Sequence, residues 1–537
     1  MSVQDILSDE ETPLLSPPPQ RSIYASFSRP FRSIFSQARS SSSITAIVLV
    51  TLFWFEFGAY LMAVPVLRVY EDIICHHYYD RLQGEGYVVF GGDIDESMCK
   101  KDDIQNELSI LVAGTHFLGA IPGLFLTIPY GMLMDRIGRK PIFMLAITGI
   151  ILNYLWNISV MWFWHTLPLR LIWLGPIFTI IGGGPSVGGM AFFAIASDTT
   201  TEAKRTHIFF LAAAADLVAQ LIAPSLAAVL MAKSPWIPIL LGISFVTLGS
   251  LLILFVPETL HMQHQRTSVS HVALATSDDG VPHNCNTKTS LFATMKHEFS
   301  NTLRILRSSF SILNSAPLLL LLLTFIVNPL TSQSVDISLR YISNRFHFPL
   351  RLSSFLWSLR AAVQIILFLL ILPFLSKIMI IRFNIPSSKK DLHLARTSIL
   401  ILTLGSLLIA IAPNLPLAIL GMAVSTLGAG YISITRSLIT TLADRQNKGQ
   451  LYAAVAVVET IGRLVAGPGF AKLYIVGLRL KGGWVGLPFF GMGIICGLAA
   501  VAVWSAGWIM SKRNWEWEND RGEVVGESDD AEENGIA

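Results

Sequence analysis

The sequence predicts an all-α polytopic membrane protein with twelve transmembrane helices arranged as two pseudo-symmetric bundles of six. Three observations carry that expectation. The 537 residues are 52% hydrophobic and only 14% charged, with a mean hydropathy of +0.57, whereas soluble domains carry ~25% charged residues. Apolar runs that could supply spanning helices of ~20 residues recur about a dozen times. The two halves of the chain also share a spaced pattern. Gly182-Gly-Gly leads to Asp198 and Gly428-Ala-Gly to Asp444, an interval of 16 residues in each (198 − 182 and 444 − 428). Downstream, Ala223-Pro224 corresponds to Gly467-Pro468, each deep in the next apolar run. An internal copy of this kind is what two parallel helical halves leave behind.

Residues 1–43 read as a cytoplasmic tail without regular structure. They are rich in Ser, Pro and Arg and lack the apolar core of a cleavable signal peptide, so the first span must act as its own insertion signal. Arg21, Arg29, Arg32 and Arg39 favour the inner side. Within the tail, Glu10-Glu-Thr-Pro-Leu14-Leu15 looks like an acidic dileucine sorting signal of the kind that routes membrane proteins to vacuoles or lysosomes. A chance match in a polar tail is the alternative.

Six spans are expected at about 44–68, 107–134, 140–162, 168–197, 206–231 and 236–256, an N-terminal bundle over residues 44–256. Cys75 and Cys99 fall in the polar stretch after the first span, where an oxidising side would allow a bridge between them. Spacing alone does not supply the geometry a disulfide demands. Residues 257–315 are polar and read as a cytoplasmic linker. The C-terminal bundle, 316–512, should hold spans at about 316–338, 350–380, 396–412, 415–443, 449–476 and 484–511. Lys377, Arg382, Lys389, Lys390, Arg396, Arg445, Lys448, Lys512 and Arg513 then lie in inner loops or at the end of the last span, which places both termini in the cytoplasm. Arg340, Arg345 and Arg351 would fall in an outer loop, against that rule. Residues 513–537, with Glu523, Glu527, Asp529, Asp530, Glu532 and Glu533, form an acidic tail expected to lack regular structure.

Between the second and third runs lies Gly131-Met-Leu-Met-Asp135-Arg136-Ile-Gly138-Arg139-Lys140. This stretch resembles the G-x-L-x-D-R-x-G-R-K loop signature of major facilitator superfamily transporters, and every defining position is filled. The resemblance covers about residues 44–512. It implies alternating access, with two bundles rocking about a site in mid-membrane. It further implies that Asp135 sits against a helix end in the opposite half, and that Arg139 pairs with an acid at the cytoplasmic end of the fourth helix. Asp198 and Arg205, and in the second half Asp444 and Arg445, stand at helix ends where such partners belong. A solvated basic loop that merely enforces orientation is the other reading. The segment Phe374-Leu-Ser-Lys377 to Arg382 carries no second copy of the signature, so a latch there would use Lys389, Lys390 and Asp391. The exit sequence Phe255-Val-Pro-Glu258-Thr-Leu260 is also familiar in this superfamily. More finely, the chain looks like the fungal drug-and-nutrient branches, with an affinity to proton-coupled folate and tetracycline-type carriers.

A charge at mid-bilayer costs several kcal/mol unless it faces a cavity or a partner, so intramembrane ionisable residues are the site candidates. Glu56, between Phe55 and Phe57 in the first span, and Asp216, in the fifth, are candidate proton carriers. Glu459 takes the place equivalent to Asp216 in the eleventh span, with Arg463 four residues on and able to pair with it. Arg360 and Arg436 are basic members that would favour an anionic or carboxylate-bearing solute if they line the cavity. Mutual neutralisation of Arg436, Glu459 and Arg463 is the plainer alternative. His116, Gln220, Gln333 and Gln364 could add hydrogen bonds, and Trp54, Tyr60, Trp357 and Tyr431 could stack on solute or simply pack.

The expected partners are therefore a small-molecule solute, protons and the lipid bilayer. A net charge of +3 spread over loops gives no reason to expect nucleic acid. No cofactor or metal is expected, since Cys285 and Cys496 have no ligand company. The chain lacks the His-Glu-x-x-His, Gly-x-Ser-x-Gly and Gly-x-Gly-Asp groupings of an intramembrane enzyme. A transport-inactive sensor or scaffold built on the same fold is a further alternative. The vacuolar and plasma membranes are both compatible with the sequence.

Overall fold

A computed structural model describes residues 41–83, 94–200, 202–259, 316–382, 387–442 and 448–533. Twelve helices in it are long and apolar enough to cross a membrane. The first six are α1 (Ser41–Gln83), α2 (Asp102–Ile137), α3 (Arg139–Trp162), α4 (Leu169–Thr199), α5 (Glu202–Leu230) and α6 (Trp236–Leu252). The second six are α7 (Ala316–Arg345), α8 (Leu350–Ile381), α9 (Ser387–Ile411), α10 (Leu415–Thr440), α11 (Lys448–Leu480) and α12 (Leu487–Glu533). No strand occurs among the described residues.

Helix ends depart from the hydropathy reading wherever polar residues find partners in the fold. α1 runs on to Gln83 because Arg68 pairs along the helix with Glu71 at 3.1 Å and Asp72 at 3.9 Å. Cys75 therefore sits on a helix rather than in the loop expected for it, and is joined to Cys99 on a single 3-10 turn, Glu96–Lys100. Beside the disulfide, the buried Glu71 carboxylate accepts hydrogen bonds from Lys100 Nζ at 2.7 Å and Gln105 Nε2 at 2.6 Å. A buried charge with its lone pairs occupied in this way is tolerated, whereas a bare one is not. α7 likewise continues through Arg345, so Arg340 and Arg345 are helical and not loop residues. Arg340 is buried and donates to Ser109 Oγ at 3.2 Å, which removes it from any loop-charge count. α12 extends to Glu533, so the acidic segment expected to be irregular is helical over most of its length. Glu10, Leu14, Leu15, residues 260–315, Asp444 and Arg445 lie outside the described residues.

Closing a loop across a sequence separation of 24 stabilises the folded state by about 3 kcal/mol in the chain-entropy account. The double substitution Cys75→Ser, Cys99→Ser is therefore expected to lower the unfolding midpoint of the detergent-solubilised protein by several degrees. An unchanged melting curve would mean that the ionic cluster holds this knob together without the covalent link.

The repeated glycines do the same job in each half. An added Cβ on Gly182 would overlap the backbone of Leu145 and Ala146 on α3, and one on Gly428 would lie 2.6 Å from the Leu402 amide nitrogen on α9. Each glycine lets its helix lie directly against the preceding one, α4 on α3 and α10 on α9. The halves meet where α2 packs on α11 and α5 on α8. Polar contacts between described residues of the two halves run from mid-membrane to the face that carries the disulfide. They include Arg340 to Ser109, Asp336 to His116 at 3.5 Å, and the Leu350 amide to Glu96 Oε1 at 2.8 Å. Burial alone would raise the Glu96 pKa. Lys100, the Leu350 N–H and Arg68 outweigh it and hold the carboxyl below its usual range. Such a depressed carboxylate contributes fully above its unfolded pKa, and the contribution is lost as pH falls through the folded value.

Candidate functional site

Helices α1, α5, α7 and α8 converge on a polar-walled chamber. One compartment, about 340 Å³, is lined by Tyr60, Gln220, Asn328, Trp357, Arg360 and Gln364 among others. A second, about 390 Å³, lies toward the disulfide and is lined by His116, Asn153, Tyr154, Asp336 and Arg340 together with apolar groups such as Met62 and Leu67. Trp357 lines both and stands between them. Its indole Nε1 is buried and has no partner among the described residues, while Tyr60 meets its ring edge-on at 5.7 Å between centroids.

Asp216 on α5 lies behind the wall of the first compartment, held by two of its lining residues. Tyr60 donates to its Oδ1 at 3.0 Å and Gln220 to its Oδ2 at 2.9 Å. Glu56 lies one turn before Tyr60 on α1, within electrostatic range of Asp216, and Arg360 faces Asp216 from the opposite half. Three of the candidate groups, Glu56, Asp216 and Arg360, thus come together across α1, α5 and α8. Arg360 forms no ion pair or hydrogen bond with any described residue, so its guanidinium remains available to the chamber.

Glu459 does not join them. It accepts from Arg436 Nη2 at 2.8 Å and from Asn328 Nδ2 at 2.9 Å, which ties α11, α10 and α7 within the second half. The pairing of Glu459 with Arg463, expected from their spacing, is absent among the described residues, and Arg463 points outward and is exposed. One turn of separation permits a pair but does not choose it, and here the neighbouring helix offers the better geometry. Two of the aromatic candidates are packing residues. Trp54 stacks on Phe245 at 4.9 Å, and the buried Tyr431 donates to Thr324 Oγ1 at 2.5 Å.

Asp336 and Arg340 also line the chamber, which hydropathy alone does not indicate. His116 Nε2 stands 3.5 Å from Asp336, with Gln333 at 3.5 Å from His116 Nδ1. The run Gln333-x-x-Asp336-x-x-x-Arg340 has spacings of three and four that place all three on one helix face, a signal available in the sequence. Hydropathy hides it by placing Arg340 in an outer loop.

At the opposite face, Arg139 and Lys140 open α3 directly after Gly138. Arg139 Nε lies 3.1 Å from Asp198 Oδ2 at the end of α4. The Arg139 and Lys140 amides donate to Glu258 at 2.8 and 3.1 Å, so the carboxylate after α6 caps α3. Nothing in the sequence around Glu258 points to that task. Gly131 lies beside Met190, and Arg136 is exposed. The side chains of Asp135 and Arg205 are not among those described. In the second half, Asp391 pairs with Lys390 at 3.3 Å and accepts from Ser437 Oγ at 2.9 Å, a looser tie between α9 and α10.

The Major Facilitator Superfamily model matches residues 101–467. The chain belongs to the major facilitator superfamily. Among its relatives, it is 32% identical over 452 residues to the MFS efflux pump atnC of Emericella nidulans, covering 83% of this chain and 84% of that protein. It is 29% identical over 442 residues to the efflux pump ustT of Aspergillus flavus, covering 82% and 83%. Of solved structures, a D-xylose-proton symporter matches with a TM-score of 0.55 at 13% identity, covering 86% of this chain and 97% of that one. A bacterial homologue of the iron transporter ferroportin in an inward-facing state matches with a TM-score of 0.54 at 14% identity, covering 87% and 98%. These two establish the fold alone. The protein is a multi-pass membrane transporter of the fungal facilitator type, and transporters of this superfamily carry small molecules.

Proposed function

We propose that this transporter is a secondary active exporter working by alternating access, which drives a small amphipathic organic anion across the membrane in exchange for protons. The observation that carries the reading is the grouping of Glu56 and Asp216 behind two chamber-lining residues, Tyr60 and Gln220, with Arg360 of the same lining making no ion pair among the described residues. Carboxyl groups set beside a chamber inside the membrane are suited to take up and release a proton during a transport cycle. An unpaired guanidinium offers a carboxylate or phosphate a charge-assisted anchor. Apolar and aromatic groups around it suit a carbon skeleton larger than a sugar. Export as the direction is supported by relatives named as efflux pumps. With the basic loop toward the cytoplasm and both termini inside, the cross-half contacts on the disulfide side would close the carrier on its exterior side. Residues 44–256 and 316–512 would be the two moving bundles, and the vacuolar and plasma membranes are both suitable locations.

The test uses protein reconstituted in liposomes with fluorescein and coumarin carboxylates as probes. Uptake driven by an imposed pH gradient and collapsed by a protonophore is expected. The Glu56→Gln variant should transport without responding to pH. Full pH dependence in that variant would remove the first-helix acid from the cycle.

A further inference from the structure

A third cavity, about 480 Å³, opens on the outer wall of the protein along the seam between the halves. It is bounded by Ile110 and Phe117 of α2, Trp173 of α4, and Pro468, Lys472 and Arg479 of α11. The small residues Ala113 and Gly114 form part of its lining, and Trp173 is held as its side wall by an indole hydrogen bond to the Leu111 carbonyl at 3.0 Å. It is separate from the chamber, with which it shares no lining residue.

Its two cations set it apart from an ordinary apolar groove. Lys472 and Arg479 lie seven residues apart on α11, close to two helical turns, so both project on the same face about 10 Å apart along the axis. Both are exposed, and neither has an ion-pair or hydrogen-bond partner among the described residues. Arg479 stands one residue from the end of the Ala454–Leu480 span, where a lipid headgroup would lie. Lys472 lies inside that span, about 12 Å from its end. A cation at that depth is costly unless it can snorkel to an anion.

We propose that this crevice holds one anionic phospholipid, its phosphate between Lys472 and Arg479 and an acyl chain laid along Ile110, Phe117 and Pro468. The two cations select a headgroup of net negative charge through charge-assisted hydrogen bonds to its oxygens, and the apolar floor selects the chain. The lipid bridges α2 of one half and α11 of the other, on the disulfide side of mid-membrane. Its occupancy is independent of what the chamber carries.

Native mass spectrometry of the full-length protein in detergent tests this with three probes: phosphatidylserine, phosphatidylcholine with the same chains, and the chain-free headgroup glycerophosphoserine. One phosphatidylserine is expected to remain bound at concentrations about tenfold below those needed for phosphatidylcholine, with no binding of glycerophosphoserine. The Lys472→Gln, Arg479→Gln double variant should lose that preference, and Lys472→Arg should keep it. Val476→Trp, which narrows the crevice without altering charge, should weaken both lipids. Equal retention of phosphatidylserine by wild type and the double variant overturns the proposal. So does an absence of preference between the two lipids, and so does glycerophosphoserine binding as tightly as the intact lipid.

Discussion

Replacing Asp216 with asparagine is expected to reduce gradient-driven transport at least about 100-fold while leaving the protein folded. The amide is nearly isosteric and its oxygen can still accept from Tyr60, now at 3.0 Å from Oδ1, so packing changes little. What disappears is the negative charge facing Arg360 across the halves. The proposed cycle needs a carboxyl that can take up and release a proton, which the amide cannot do, and a missing proton-transfer group typically costs ~10²–10⁴-fold in rate. Asp216→Glu should recover part of the rate, and initial rates in proteoliposomes at several pH values make the comparison. An Asp216→Asn protein with wild-type rate and pH response would show that this acid is structural and that the proton path lies elsewhere, with His116 and Asp336 the next groups to examine.

The second large effect is expected at Gly138. Its φ of 123° and ψ of 161° fall in a region essentially reserved for glycine, where another residue costs ~1–3 kcal/mol. A Cβ there would also overlap the Glu258 carboxylate. Gly138→Ala would therefore strain the backbone and displace the cap on the Arg139 and Lys140 amides together. The Arg139–Asp198 pair, set by the first turn of α3, should loosen with it. The expected outcome is a midpoint lower by several degrees in a fluorescence-detected thermal assay, with little active carrier recovered. Gly131→Ala is the matched control. A Cβ there would meet only the flexible end of Met190 at 3.5 Å, and near-wild-type behaviour is expected. If both alanines were equally harmless, the turn would be a charge marker and not a built joint.

These two positions differ in how far the sequence reveals them. Gly138 sits in a motif dense enough to recognise by eye, yet its cap, Glu258, lies 120 residues on (258 − 138) and nothing local links them. Asp216 stood out as an acid in an apolar run, since the cost of an unsolvated charge makes such a residue conspicuous. Its alliance with Tyr60 and Arg360 depends on which faces of α1 and α8 turn inward. The same limit explains Arg463: spacing offered it to Glu459, and the approach of α10 gave that place to Arg436. It also explains Arg340, which hydropathy counts as a loop charge because its burial depends on Ser109 in the other half.

Composition and spacing by themselves determined that this chain crosses a membrane twelve times in two related halves, because lipid forces each span to be apolar, helical and about 20 residues long. They also singled out the rare charges inside the spans. Only the tertiary structure decided which of those charges share a wall, which neutralise one another, and where the outer seam leaves cations facing lipid. Those outcomes turn on helix rotation and on the pairing of helices far apart in the chain, and a one-dimensional pattern of polarity encodes neither.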